Sequence, residues 1–157
     1  MKTNYETFED VQADVYTRVQ DSIEDEKNEL REKIKAYYLE HNNTNYIMIG
    51  FESYLLDQFE DWKNDIENCI AETLSMYYSD AWNIVNLARF AWTEEDRQFF
   101  WDANALVEPD DDDDLDGFMT KLSYTIVEAL ARDELNKQLE PFVSKVIESL
   151  ETETHNA

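Results

Sequence analysis

From Ile47 to Tyr77, large side chains return at every third or fourth position: Ile47, Phe51, Leu55, Phe59, Trp62, Ile66, Cys69 or Ile70, Thr73 and Tyr77. That interval is the period of an α-helix, not the two-residue alternation of a strand. A second stripe, Phe8, Val11, Val15, Val19 and Ile23, then Leu30, Ile34 and Tyr37, follows the same rule. Two long stripes must bury their faces on something. With only 2 Gly and 2 Pro in the chain, tight hairpins are scarce and a many-stranded partner is disfavoured. Helices packed on helices remain: an all-α, single-domain bundle over residues 1–157, with two long helices and several shorter ones.

The element boundaries follow from local chemistry. The first helix spans Thr7 to Glu40, with Thr3–Glu6 and Thr7–Asp10 as capping-box starts. The polar stretch Asp21–Glu29 holds one apolar residue, Ile23, and marks either a solvated, bent part of one long helix or a break between two helices; one long helix is the expectation. His41-Asn42-Asn43-Thr44-Asn45 is a connection, because Asn and Thr bond their own backbone. The second long helix spans Thr44 to Tyr78. Tyr46–Phe51 alone would also suit a short strand, and Gly50 weakens a helix there by ~1 kcal/mol. Ser79 or Asp80 suits the cap of a shorter helix through Trp92. Thr93 starts another helix, with acidic Glu94, Glu95 and Asp96 near its positive end. The last helix begins near Asp116 and carries Met119, Leu122, Ile126, Leu130, Leu135 and Leu139. Pro141 kinks or restarts it, and residues 151–157 form a frayed tail.

Several classes fall away early. No run approaches the ~20 apolar residues of a membrane span. Met1–Glu6 contains no apolar signal core, so a cytoplasmic location is the expectation. The single cysteine, Cys69, excludes an internal disulfide and, on the apolar stripe, reads as a small buried hydrophobe. The two histidines, His41 and His155, lie far apart in sequence and offer no zinc site. No nucleophile–base pair, Gly-rich phosphate loop or Glu-x-x-His motif is present. The expectation is a non-enzymatic protein with no cofactor and no metal.

Charge is the second strong constraint. The chain has 37 Asp and Glu against 13 Lys and Arg, a formal net charge of −24. Direct nucleic-acid binding needs clustered cations and is disfavoured, as is docking on anionic membranes. The excess is uneven: residues 93–117 contain 11 acids and a single base, Arg97. Between Glu40 and Arg89, Lys63 is the only cation. On the second long helix Asp57, Asp61, Asp65 and Glu72 make a row of carboxylates away from the apolar stripe, with Glu60 and Glu67 beside it. Rows at i, i+4 advance ~5.4 Å per turn, a spacing of the same order as the ~3.4 Å phosphate repeat of one DNA strand.

The segment 107–116 reads as an acidic loop carrying Asp110, Asp111, Asp112, Asp113, Asp114 and Asp116. Asp112, Asp114, Asp116 and Gly117 fit positions 1, 3, 5 and 6 of an EF-hand-like register, but Ser123 stands where a bidentate Glu is required. A solvated loop or a negatively charged recognition surface suits it better than a Ca²⁺ site. Trp82, Phe90, Trp92, Phe99, Phe100 and Trp101 crowd the preceding region. The consecutive Phe99, Phe100 and Trp101 cannot all face inward on one helix, so Trp101 is a candidate exposed anchor.

In size and charge layout the chain resembles the small acidic proteins of phages and mobile elements that imitate DNA. The resemblance implies an inhibitor that occupies the nucleic-acid site of a basic protein, such as a restriction or CRISPR effector, in a bacterial cytoplasm. It carries over no individual residue. The candidate contact set drawn from charge and exposure is Asp57, Glu60, Asp61, Asp65, Glu67, Glu72, the acidic loop and Trp101. The alternative is an acidic helical adaptor that meets its partner through exposed aromatics. Either form is compatible with a homodimer.

Overall fold

A computed structural model describes residues 5–41, 57–112 and 114–155. Among these, 87% are helical and no strand occurs. The described residues form five helices, in chain order α1 (Phe8–His41), α2 (Glu60–Ser75), α3 (Tyr78–Arg89), α4 (Glu94–Leu106) and α5 (Leu115–His155). The all-α bundle expected from the stripes is the observed fold. No described helix is long and apolar enough to cross a membrane.

α1 is a single helix, and the polar stretch Asp21–Glu29 does not interrupt it. Its start is capped reciprocally: Asp10 N donates to Thr7 Oγ1 at 3.2 Å, and Thr7 N to Asp10 Oδ2 at 3.1 Å. Val11, Val15, Val19, Leu30 and Ile34 are buried. α5, 41 residues long, packs against every other described helix. Pro141 lies inside it without ending it, and the helix runs to His155.

The second long stripe is only partly described. Ile47, Phe51 and Leu55 lie outside the described residues, as does Asp113. The later part of the stripe forms α2, which ends at Ser75. Tyr77 then turns extended, at φ −103° and ψ 139°, and forms the N-cap of α3. Neither Ser79 nor Asp80 caps α3. Asp80 instead lies within the first turn and is buried. Thr93 does cap α4, accepting from Asp96 N at 3.1 Å.

α2 also departs from its apolar stripe. Its buried residues are Lys63, Glu67, Ile70, Ala71, Leu74 and Ser75. Trp62 and Ile66 are only half-buried, Thr73 is exposed and the Cys69 thiol faces solvent. The buried face is turned by roughly a quarter of a helical turn from the apolar stripe, at about 100° per residue. The cause is polar pairing with α5, which draws two charged residues inward. Three contacts mark the antiparallel run of the two helices. Lys63 Nζ donates to Asn136 Oδ1 at 3.3 Å, Arg132 binds Glu67, and Ser75 Oγ meets Ser123 Oγ at 2.7 Å.

Candidate functional site

The outward face of α2 and the residues just before it present Asp57, Asp61, Asp65 and Glu72, all exposed. Helical geometry sets them on the side opposite Lys63, Glu67, Ile70 and Leu74. Lys63 is 4% exposed. Its ammonium reaches Asn136 and, at 3.5 Å, Glu60 Oε2. The only cation between Glu40 and Arg89 therefore points into the bundle, away from the row.

Glu60 and Glu67 belong to a different structure. Arg132 of α5 binds Glu67 through Nε, Glu60 Oε1 through Nη1 at 2.6 Å, and Asn64 Oδ1 through Nη2 at 2.5 Å. Glu67 is 2% exposed. It offers no carboxylate to a partner, which corrects its assignment to the contact surface. Glu60 is partly exposed but spent on Arg132. The guanidinium beside it holds its carboxyl below the usual range. Burial, and then the neighbouring Glu67, push the Glu128 carboxyl up. Arg132, bonded first to Glu67 and then to Glu60, is held firmly cationic.

The acidic segment before α5 divides by task. Asp114 caps α5: Gly117 N donates to Asp114 Oδ1 at 2.8 Å. Asp116 Oδ1 accepts from Trp82 Nε1 at 2.7 Å. Asp110 Oδ2 lies 3.0 Å from Lys121 Nζ. Asp111 and Asp112 are exposed. Two carboxylates of the EF-hand-like register, Asp114 and Asp116, are thus directed to a backbone amide and an indole. Among the described residues no group of three or more His, Cys, Asp and Glu is placed to hold a metal ion.

Elsewhere cations are drawn off in the same way. Arg18 pairs with Asp14 at 2.9 Å, Lys27 with Glu24 at 2.6 Å and Lys137 with Asp133 at 2.9 Å. Arg97 Nη1 donates to the Ala91 carbonyl at 2.7 Å. These contacts are worth little singly at an exposed surface. Together they engage much of the small basic complement and leave an acidic exterior.

Trp101 is 56% exposed and meets Phe100 edge-on, with ring centroids 5.1 Å apart. Phe100 takes the inward position and Phe99 a half-buried one, 6.0 Å from Phe8. Within the aromatic cluster that runs from Trp82 to Trp101, sequence reasoning missed two larger exposures, Phe90 at 70% and Trp92 at 88%. The available signal was the Thr93 cap: residues just before an N-cap are outside the helix and need not follow its stripe. No family model, curated protein or solved structure matches the chain.

Proposed function

We propose that the protein is a non-enzymatic inhibitor that imitates the charge of nucleic acid and occupies the DNA- or RNA-binding site of a basic protein, such as a restriction or CRISPR effector. One observation carries this. The row Asp57, Asp61, Asp65 and Glu72 stands in solvent, while Lys63 is withdrawn to the opposite face. An ordinary wet helix face mixes signs, since like charges at i, i+4 repel. A row kept free of cations is suited to a groove built for phosphates. The Asp111 and Asp112 carboxylates extend the acidic surface near the start of α5. A field of this sign accelerates encounter with a cationic groove and is salt-sensitive. Carboxylates on helices also lose less freedom on binding than those of an unfolded acidic tail.

A second reading, an acidic adaptor whose partner contact is mainly apolar, is favoured by the exposure of Trp92 and Trp101. One experiment separates the two. The protein is used to capture partners from bacterial lysate at low salt, followed by a salt gradient. A captured nuclease or other basic protein is then titrated with duplex DNA and this protein together. Mutual exclusion supports mimicry. A partner that holds both ligands with undiminished affinity overturns it and leaves the adaptor.

A further inference from the structure

The joint between α3 and α4 holds an exposed indole in a fixed frame. Ala91 is buried, and Ala91 N donates to Ala88 O at 3.3 Å. Arg97 grips the Ala91 carbonyl, and Thr93 caps α4 on the far side. Gln12 Nε2 of α1 donates to Asp96 Oδ1 at 3.0 Å and ties the first turn of α4 down. Trp92 projects from this joint at 88% exposure, next to Phe90 at 70%. Beneath them runs a groove of about 370 Å³ whose walls include Glu6, Phe8, Leu87, Phe90 and Trp92. Phe8 touches Phe99 across α1 and α4. Phe99 in turn lines a second groove, of about 520 Å³, with Glu94, Glu95, Gln98 and Asp102. The aromatic ledge and the acidic trough thus come within two residues of each other along the chain, at Trp92 and at Glu94.

We infer that this ledge and trough form the apolar anchor for the partner, and that they receive a basic amphipathic segment, with an apolar side chain against Trp92 and lysine or arginine over Glu94, Glu95 and Asp102. The inference rests on the proposal that the partner is basic. Charge complementarity selects this occupant. The rim carries Glu6, Glu94, Glu95 and Asp102, while the three nearby cations are engaged: Arg97 on Ala91 O, Arg89 stacked 5.1 Å over the Phe90 ring, and Lys137, which borders Glu95 and Phe99, on Asp133 at 2.9 Å. Arg89 occupies the Phe90 ring, and the exposed Trp92 face is left for the apolar side chain. A second copy of the chain would bring one charge of −24 against another. Rigid, exposed tryptophan bordered by polar groups is also the usual composition of a binding hot spot.

The test uses the full chain, isotope-labelled for NMR, and two probes at low salt. One is a helical peptide of leucine and lysine only. The other is oligolysine of equal charge. The Leu/Lys peptide should shift the amides of residues 90–102. Trp92→Ala should weaken that peptide about tenfold or more, the size of a hot-spot truncation, and leave oligolysine unchanged. Glu94→Gln with Glu95→Gln should weaken both. Because its side chain is exposed, Trp92→Ala should keep the wild-type melting temperature, and the loss of two first-turn carboxylates of α4 in the double Gln variant should lower it by no more than a few degrees. Three results would overturn the inference. Trp92→Ala could leave the Leu/Lys peptide unaffected. The shifts could fall on α2 rather than on 90–102. Sedimentation could reveal a dimer that Trp92→Ala disperses, which would give the surface to a second copy. The two proposals fail separately: a partner that yields to DNA competition but ignores Trp92→Ala removes only the anchor, and one that binds DNA alongside this protein yet needs Trp92 removes only mimicry.

Discussion

Glu67 on α2 and Arg132 on α5 form an ion pair whose acid is buried and whose base keeps 33% of its side chain in solvent. The same guanidinium also holds Glu60 and Asn64. A single arginine therefore neutralises two acids and sets which face of α2 meets the bundle. Removing one member of such a pair strands the other, whereas replacing both can be nearly neutral.

Arg132→Ala should accordingly destabilise the fold by about 2–3 kcal/mol, less than the ~3–5 kcal/mol that breaking a fully buried pair costs, since water reaches the arginine. Glu67→Leu with Arg132→Leu should recover most of that loss. Urea unfolding of the two variants measures both. The wild type should also lose stability in acid: the Glu60 carboxyl is held below its ordinary value of 4.5, so its contribution is present above that value and fades as the pH falls through the folded one. A double variant no more stable than Arg132→Ala would show that shape, not charge, governs this contact.

Asp80 gives the opposite sign. It is buried at the start of α3, its Oδ1 meets no hydrogen-bond partner, and burial pushes its carboxyl up from 3.8. A raised carboxylate opposes folding once ionised, and the penalty is relieved as acid protonates it. Asp80→Asn should stabilise the protein at pH 7 by about 1 kcal/mol, or about 2–4 °C in Tm at this chain length. The gain should shrink as the pH falls through the folded pKa toward 3.8. Melting curves across that range check it, and a gain independent of pH would deny the charge a role.

The helix period tells which segments are helical because backbone pattern and apolar spacing share one geometry. It misplaces the buried face of α2 because apolarity alone does not decide that face. Lys63 and Glu67 are as inward as Ile70, and what takes them there lies more than sixty residues away, at Arg132 and Asn136. No local rule reports such a pairing. The row Asp57, Asp61, Asp65 and Glu72 was legible, since carboxylates without partners stay in water. The tasks of Asp114 and Asp116 were not, because a run of aspartates looks uniform until a helix start and an indole single out two of them. Trp92 was hidden by the reverse error: a large aromatic invites a core assignment, and only the chain direction at the α3–α4 joint shows otherwise.

Cys69 is a direct check on the rotated face of α2. An apolar-stripe position would shield it, but the structure exposes it. The native protein should react with a thiol reagent such as dithionitrobenzoate as fast as the urea-unfolded chain, to within about an order of magnitude. Reaction only on unfolding would restore the unrotated stripe and put Glu67 back on the surface.

If affinity for the partner comes from imitating phosphates, it is distributed over many contacts. An exposed charge pair contributes a median of ~0–1 kcal/mol, so Asp61→Asn alone should weaken binding only a fewfold. Asp57, Asp61 and Asp65 neutralised together should weaken it by about tenfold to a hundredfold, and Asp111→Asn with Asp112→Asn should add to that independently. The slope of affinity against salt should flatten with each set, because fewer charges take part. Glu67→Gln is the matched control: its carboxylate is buried on Arg132, so it should alter stability and leave the salt slope alone. The free protein should hold or gain stability in the row variants, since repulsion between like charges is relieved. Binding isotherms at several salt concentrations, paired with melting curves, test all of this. A large loss from Asp61→Asn alone, or a salt slope unmoved by the triple variant, would locate the affinity away from the row and leave phosphate imitation without its physical basis.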